Sequence, residues 1–243
     1  MCSKTCWAQS FEERLQREWT RSFDGASTYA HRVPFGVLLL EQGVITAEQR
    51  DAALEAQRVV GSGRIGDWLR QEFGVTEQQI ARALGMQWNC PVFDLSQHRS
   101  VPSGIPLDVL QEYRVLPLRP SGRGVLYLAY DDRPNAVLRL AVQHMVGRRV
   151  EDGLATAASF AEKWDLARDD EQGHRALRLE PGAWEVIQRD VESRTGQADV
   201  RIARLERHIW VRVLLTSPNT APLPTAENAV VRDYLIPVTP WIR

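Results

Sequence analysis

An internal repeat constrains the fold of this chain of 243 residues more than any other feature of its sequence. When residues 34–57 are set above residues 64–87, an offset of 30, seven of the 24 positions are identical. The identical pairs are Gly36/Gly66, Leu39/Leu69, Thr46/Thr76, Gln49/Gln79, Ala53/Ala83, Leu54/Leu84 and Gln57/Gln87. Ordinary composition would give about one or two such identities by chance. The repeat therefore predicts one supersecondary unit used twice, here named unit one (residues 34–57) and unit two (residues 64–87).

Each unit is expected to fold as helix, turn, helix. Thr46 and Thr76 are candidates for the N-caps of the second helices, because Gln49 and Gln79 follow them three residues later. This spacing is the capping box, in which the threonine hydroxyl and the glutamine amide satisfy free backbone groups at a helix start.

A different period begins after the repeat and predicts a small α/β subdomain. The apolar patterns indicate a strand at 91–95, a helix at 106–113, strands at 115–119 and 125–130 around a hairpin loop at 121–124, a helix at 136–145 and a strand at 149–155. The order is β-α-β-β-α-β. Further along, residues 169–173 resemble a linker, residues 181–195 an amphipathic helix, residues 209–215 a strand and residues 217–224 a turn-rich stretch.

These patterns together predict an α+β protein. We expect an N-terminal extension at residues 1–30 with a short helix at 11–19 and a linker at 24–28, then a helical subdomain at 31–90, an α/β subdomain at 91–165 and a C-terminal tail at 166–243. The sequence leaves open whether the tail is a domain or an appendage.

Composition excludes several classes of function. The net charge of -1 and the pI near 6.5 argue against nucleic acid or an anionic membrane as the partner. The most apolar stretches, 37–40 and 209–215, are too short to span a membrane. The N-terminus carries charged residues around Trp7, where a signal peptide would need an apolar run. The three cysteines suit a reducing compartment, so we expect a cytoplasmic protein, with a partner as its route to the inner membrane.

Motifs that carry chemistry are missing, so we expect no enzymatic activity, no metal site and no cofactor. Residues 61–66 match G-x-G-x-x-G, but they follow a predicted helix, whereas a dinucleotide fold needs a preceding strand. The sequence contains no phosphate-binding lysine loop and no G-x-S-x-G or H-E-x-x-H pattern. Cys2 and Cys6 have no complementary cysteine or histidine pair, Cys90 is expected to be buried, and the acidic pair 131–132 is expected to be solvated.

The repeat resembles the MshEN family, whose pattern is roughly R-L-G-x-x-L-[VI]-x-x-G-[LF]-[IV]-x-x-x-x-L-x-x-x-L-x-x-Q in two tandem copies. Unit two matches this pattern at Arg64-Ile65-Gly66, Leu69, Val75, Ile80, Leu84 and Gln87. Unit one matches it at Phe35-Gly36, Leu39-Leu40, Gly43-Val44-Ile45, Leu54 and Gln57. The following stretch, with residues 113–118, also resembles the family, so the resemblance covers about residues 31–165.

The resemblance implies a site for the bacterial second messenger cyclic di-GMP, with each unit holding one half of the ligand. The residues that it implies as contacts are Arg32, Phe35, Gly36, Leu39, Gly43, Leu54, Gln57, Arg64, Ile65, Gly66, Leu69, Leu84 and Gln87. These residue types suit the task, because a glycine at a helix start lets backbone N–H groups approach a phosphate. Arginine pairs with phosphate or stacks on a base, and glutamine offers both a donor and an acceptor.

The sequence also departs from the family pattern. Pro34 stands where unit one should have its arginine, so His31 or Arg32 would have to substitute, and Arg50 replaces an apolar residue. In unit two the expected Gly-Leu is Phe73-Gly74. As isolated residues, the leucines could be core, the glycines turn formers and the glutamines surface caps.

Three functional interpretations therefore stay open. The first is a regulator that binds cyclic di-GMP and acts on another protein of a secretion, pilus or glycosyltransferase assembly. The second is a ligand-free adaptor that resembles the N-terminal domain of type II secretion ATPases. The third is an enzyme whose active site lies in the tail.

Overall fold

The computed structural model describes residues 4–20, 32–97, 103–118, 124–168, 174–192, 197–216 and 230–238. The predicted linkers at 24–28 and 169–173, the turn-rich stretch at 217–224 and most of the hairpin loop at 121–124 lie outside these residues. The helices are α1 (Lys4–Thr20), α2 (Phe35–Glu41), α3 (Ala47–Val60), α4 (Ile65–Phe73), α5 (Glu77–Trp88), α6 (Leu107–Tyr113), α7 (Ala136–Val146), α8 (Ala157–Arg168) and α9 (Glu185–Glu192). The strands are β1 (Leu116–Leu118), β2 (Leu126–Tyr130), β3 (Val150–Leu154), β4 (Leu177–Arg178), β5 (Gln197–Arg204), β6 (His208–Thr216) and β7 (Val230–Pro237).

Both repeat units fold as predicted, with α2 and α3 in unit one and α4 and α5 in unit two. The two capping boxes are formed: the backbone N–H of Gln49 donates to the Thr46 hydroxyl at 3.3 Å, and the Thr46 N–H donates to the Gln49 side chain at 2.9 Å. Thr76 and Gln79 make the same pair of bonds at 3.2 and 2.9 Å. These local bonds explain why α3 and α5 begin at equivalent residues.

The core of the helical subdomain is made of equivalent residues from the two units. Its buried members pair at the repeat offset as Leu39 with Leu69, Ile45 with Val75, and Ala53 with Ala83. Neither helical hairpin can bury its apolar face alone, so each unit supplies the other's partner surface.

The α/β subdomain is a three-stranded sheet in the order β1-β2-β3, with β1 antiparallel to β2 and β2 parallel to β3. The core on one face contains Leu138, Val142 and Met145 of α7, and the core on the other face contains Phe160 and Trp164 of α8. Helix α8 was not predicted, and it crosses the predicted subdomain boundary at residue 165.

The predicted strand at 91–95 is wrong. Only Val92 forms a bridge, to Leu154, and a 3-10 turn occupies Leu95–Gln97. The physical reason is the side chain of Asp94, whose carboxylate accepts a hydrogen bond from the Ser96 N–H at 3.0 Å and turns the chain.

The tail forms a second sheet in the order β4-β7-β6-β5. The predicted strand at 209–215 is present within β6, and the predicted helix is α9. One face of this sheet packs against α1 and α9 through residues that include Phe11, Leu15 and Ile187. The other face shares its core with α7, through Trp210 and Leu235 among others. The tail is therefore a packed layer on the α/β subdomain.

Candidate ligand-binding site

A cavity of about 290 Å³ lies where unit two meets the α/β subdomain. Of unit one, which the structure describes throughout, only Phe35 lines it. Unit two and the adjoining Trp88 contribute Arg64, Ile65, Gly66, Asp67, Arg70, Glu77, Ile80, Ala81, Leu84, Gln87 and Trp88. The α/β subdomain contributes Asp131, Asp132, Arg133, Ala155, Thr156 and Ala157.

The apolar wall of the cavity comes mainly from one face of α5. Ile80, Leu84 and Trp88 follow one another at intervals of four residues, so they lie along the same side of that helix. A Cβ atom at Gly66 would stand 3.5 Å from Ile80 Cγ2 and 3.8 Å from Phe35 Cε1. Because Gly66 has no side chain, room is left beside this wall for the flat face of a ring. A side chain larger than alanine at this position would fill that room.

The start of α4 forms the polar side of the cavity. Arg64 is the N-cap residue, and its side chain makes no capping hydrogen bond. The first backbone N–H groups of a helix have no partner within the helix and carry its positive dipole. Because Arg64, Ile65 and Gly66 all line the cavity, this helix start is suited to an anion such as a phosphate.

Acidic side chains surround the Arg64 guanidinium. Its Nε lies 3.4 Å from Asp67, and one terminal nitrogen lies 3.9 Å from Asp132 of the α/β subdomain. Burial disfavours the charged guanidinium, but the carboxylates of Asp132, Asp67 and Asp131 outweigh that effect and raise the pKa of Arg64. A phosphate that binds Arg64 must therefore compete with these carboxylates.

Glu77 connects the two subdomains at the side of the cavity. Its carboxylate accepts a hydrogen bond from the backbone N–H of Ala158, in the first turn of α8, at 3.0 Å. The same carboxylate lies 3.6 Å from Arg70 of α4. One acidic side chain from unit two thus caps a helix of the α/β subdomain.

The two predicted glutamines join the repeat units to each other. The Gln57 amide donates to the Gly63 carbonyl, which precedes α4, at 2.7 Å. The Gln87 amide donates to the Val33 carbonyl, which precedes α2, also at 2.7 Å. Both the donors and the acceptors are equivalent at the repeat offset, so the bonds form a reciprocal clasp. Only Gln87 also lines the cavity.

Arg32, the suggested substitute for the missing arginine of unit one, lies against the end of α5. A terminal nitrogen of its guanidinium donates to the Gln87 carbonyl at 2.6 Å, and its Cζ lies 4.0 Å from the centre of the Trp88 ring. It does not line the cavity. To reach a ligand, Arg32 would have to give up both contacts.

The predicted contact residues divide into two groups. Phe35, Arg64, Ile65, Gly66, Leu84 and Gln87 come together at the cavity. Arg32, Gly36, Leu39, Gly43, Leu54, Gln57 and Leu69 do not line it. Leu39 and Leu69 are fully buried in the helical core, and Gly43 occupies the turn after α2 with a φ of 66°. Leu54 is 39% exposed elsewhere on the helical subdomain.

Sequence reasoning missed the wall that the α/β subdomain supplies. Residues 131–133 follow β2 and residues 155–157 follow β3, and these two strands are parallel neighbours. Ligands often bind beyond the carboxyl ends of parallel strands, which is the signal that could have found this wall. The sequence alone instead predicts that the adjacent acidic residues Asp131 and Asp132 are solvated turn acids.

No cluster of three or more metal-ligating side chains occurs among the described residues. Cys90 is half-buried rather than fully buried, and burial raises the pKa of its thiol to about 11, so the thiol is protonated near neutral pH. Nor is any described helix long and apolar enough to cross a membrane.

Two proteins of Escherichia coli are similar to part of this chain. Bacteriophage adsorption protein B of strain K12 is 35% identical over 121 residues, which is 48% of this chain and 16% of that protein. Bacteriophage N4 adsorption protein B of strain O157:H7 gives the same values. The similar region is thus a small part of much longer relatives.

A solved structure described as "Structure of MshE with cdg" is 27% identical, with a TM-score of 0.46, and covers 56% of this chain and 99% of that chain. The family model of the MshEN domain matches residues 88–174, from the end of α5 through the α/β subdomain. The resemblance to the MshEN family is therefore confirmed for residues 88–174, which follow the repeat.

Proposed function

We propose that this chain is a bacterial regulatory module that binds cyclic di-GMP and signals to a partner protein of a secretion, pilus or exopolysaccharide system. One observation carries the proposal: Arg64, Ile65 and Gly66 line a cavity at the uncapped start of α4, next to residues 88–174, which match the MshEN domain. The MshEN resemblance supplies the identity of the ligand, and the cavity supplies groups that suit it.

A phosphate of the ligand would lie at the start of α4. There the backbone N–H groups beside Gly66 and the Arg64 guanidinium act on the same anion. The guanidinium would exchange its carboxylate neighbours for the phosphate.

A guanine ring would pack on the apolar wall of Ile80, Leu84 and Trp88, where aromatic and aliphatic surfaces cover its faces. The Watson–Crick edge of guanine presents two adjacent N–H donors, and a carboxylate can accept both. Asp131 and Asp132, which line the same cavity, are the acidic groups available for that role. These carboxylates would lose their interaction with Arg64 when it binds the phosphate, and they would gain hydrogen bonds from the guanine base in exchange.

The site serves binding rather than catalysis in this proposal. The buried acid of the tail sheet, Asp233, accepts hydrogen bonds from Arg212 and Trp210 and pairs with His174. We expect the purified chain to hydrolyse no ATP. ATP turnover that persists through a second purification step would contradict this part of the proposal. Because cyclic di-GMP is an internal messenger of bacteria, the function also requires the cavity to face the cytoplasm.

Calorimetric titration with cyclic di-GMP tests the proposal. We expect saturable binding by the wild type and at least about tenfold weaker binding by Arg64→Ala, because a charge-assisted hydrogen bond is worth about 1.5–3 kcal/mol. Arg58→Ala is the matched control, since Arg58 is exposed on α3 and pairs with Glu55 away from the cavity. Equal affinities for the wild type and Arg64→Ala would show that the ligand does not bind at the assigned site.

A ligand-free adaptor is the second candidate. Pro34 in place of an arginine, and the carboxylates that already surround Arg64, favour it. Absence of binding by the folded wild-type chain up to millimolar cyclic di-GMP would support the adaptor over the sensor.

A further inference from the structure

The repeat provides two equivalent surfaces, but the cavity lies on one of them. Its helical wall belongs to unit two and Trp88, with Phe35 as the single contribution of unit one. The loops after β2 and β3 close the cavity opposite unit two. The two halves of the repeat therefore offer a ligand very different amounts of enclosing surface.

Unit one differs from unit two at the two positions that matter most at the cavity. Pro34 occupies the N-cap of α2, so the cation that Arg64 provides in unit two has no equivalent there. Arg50 takes the place of Ile80, and its Cγ lies 3.2 Å from where a Cβ of Gly36 would be. Its guanidinium lies 2.8 Å from Asp51. An ion pair thus replaces the first residue of the apolar wall, whereas Leu54 keeps the position of Leu84.

The size of the cavity agrees with this asymmetry. Ligand pockets typically have volumes of about 300–1,000 Å³, and this one has about 290 Å³. A cyclic dinucleotide has two nucleotide halves, and a cavity at the lower end of this range favours enclosure of one half rather than both.

We propose that the cavity recognises a single guanylate unit, so that guanosine 5′-monophosphate and linear diguanylate bind within about thirtyfold of cyclic di-GMP. This inference rests on the proposed function and names its ligand class. In a symmetric site each half contributes its own contacts, so loss of one half costs several orders of magnitude in affinity. Here the second half lies over unit one, which has Pro34 at the position of Arg64 and the ion-paired Arg50 at the position of Ile80.

Titration of the full chain with cyclic di-GMP, linear diguanylate, guanosine 5′-monophosphate and adenosine 5′-monophosphate tests the inference. We expect the three guanine ligands to have dissociation constants within about thirtyfold of one another, and the adenine nucleotide to bind more weakly than its guanine counterpart. Binding of the mononucleotide that is more than thirtyfold weaker than that of cyclic di-GMP would overturn the inference.

Pro34→Arg provides a second, independent test, because it gives unit one the cation that it lacks. We expect cyclic di-GMP to bind at least threefold more tightly to this variant, and the mononucleotide to bind as it does to the wild type. Pro34→Ala is the control for removing the proline ring, and thermal melting checks that each variant is folded. A gain below threefold in the folded Pro34→Arg variant, measured against Pro34→Ala, counts against the inference.

The two proposals fail in different ways. If no guanine ligand binds the folded chain, the proposed function and the inference both fall. If cyclic di-GMP binds and the mononucleotide is more than thirtyfold weaker, the function stands and the single-guanylate inference is wrong.

Discussion

Gln57 and Gln87 show how one residue type can serve the fold at one position and also face a ligand at the other. Each amide donates at 2.7 Å to the carbonyl of the residue that directly precedes the opposite repeat unit. The bonds therefore resist separation of the two units, whatever the ligand does. Of the two glutamines, only Gln87 also lines the cavity.

Truncation of these glutamines should separate the two roles. We expect Gln57→Ala and Gln87→Ala each to lower the free energy of unfolding by about 1 kcal/mol, because each leaves a carbonyl without its partner. Only Gln87→Ala should reduce the rise in melting temperature that saturating cyclic di-GMP gives. Gln71→Ala, at an exposed position of α4, is the control and should change stability by less than about 0.5 kcal/mol. An equal loss of ligand shift in the Gln57 and Gln87 variants would contradict this division.

Asp152 on β3 makes the stability of the fold depend on pH. Its carboxylate lies 3.1 Å from Arg139, with only 12% of its side chain exposed. Burial raises its pKa from 3.8 to about 6, although Arg139 acts in the opposite direction. Between about pH 4 and pH 6 the folded chain therefore holds a proton that the unfolded chain releases, so stability falls as the pH rises through this window.

We expect Asp152→Asn to lack this part of the pH dependence. Relative to the wild type, its free energy of unfolding should rise by up to about 3 kcal/mol between pH 4 and pH 6. Urea denaturation at several pH values in that range measures the difference. Parallel pH profiles for the two proteins would mean that Asp152 does not titrate there.

At the scale of elements, the junction between α5 and α8 links the helical subdomain to the MshEN match. The side chain of Glu77, at the first residue of α5, satisfies the N–H of Ala158 in the first turn of α8. Leu84 and Trp88 of α5 pack against the core of the α/β subdomain. The cavity thus lies between two elements that already hold each other in place.

Removal of the Glu77 carboxylate should loosen the start of α8. We expect Glu77→Ala to lower the free energy of unfolding by about 1 kcal/mol, as loss of a helix N-cap usually does. Hydrogen exchange should quicken at the Ala158 amide. Glu77→Gln keeps an acceptor oxygen and should restore most of the protection. Unchanged exchange in Glu77→Ala would show that this contact does not support the helix.

At the scale of the whole molecule, the arginine of a buried ion pair within the tail sheet binds carbonyls of the α/β subdomain. Arg212 of β6 and Asp233 of β7 lie directly opposite each other in the sheet. The Arg212 guanidinium donates to both Asp233 oxygens at 2.8 Å and to the carbonyls of Met145 and Gly104. Arg201 also donates to the Met145 carbonyl, at 3.0 Å, so two cations face the end of α7, where the helix dipole is negative.

Loss of the Asp233 charge should destabilise the whole chain. Asp233→Asn leaves the Arg212 guanidinium buried without its counterion, and we expect a loss of about 3–5 kcal/mol in the free energy of unfolding. Glu151→Gln breaks an exposed pair with Arg149 and is the control, with a change of at most about 1 kcal/mol. Urea denaturation measures both. A loss of less than 1 kcal/mol in Asp233→Asn would mean that this pair does not hold the tail in place.

The sequence by itself determined the features that depend on neighbouring residues. A capping box spans three residues, and the helix starts at Thr46 and Thr76 followed from it. The repeat predicted two equivalent hairpins, because the pairing of Leu39 with Leu69 in the core is encoded at a constant offset. The predicted strands at 115–119 and 125–130 also appeared, since apolar runs of this length around a turn signal pair locally.

Only the tertiary structure decided where the cavity lies and how the tail folds. The Gln87 bond to Val33 joins residues 54 apart in sequence, and no local pattern encodes it. Arg212 stands within the apolar stretch 209–215 of the sequence. It is nevertheless buried in the sheet, because Asp233 on the neighbouring strand neutralises its charge. Asp132 became part of the site because β2 and β3 end beside unit two. Charge compensation and strand pairing between distant residues have energies that depend on position in space, so a single sequence read along the chain does not reveal them.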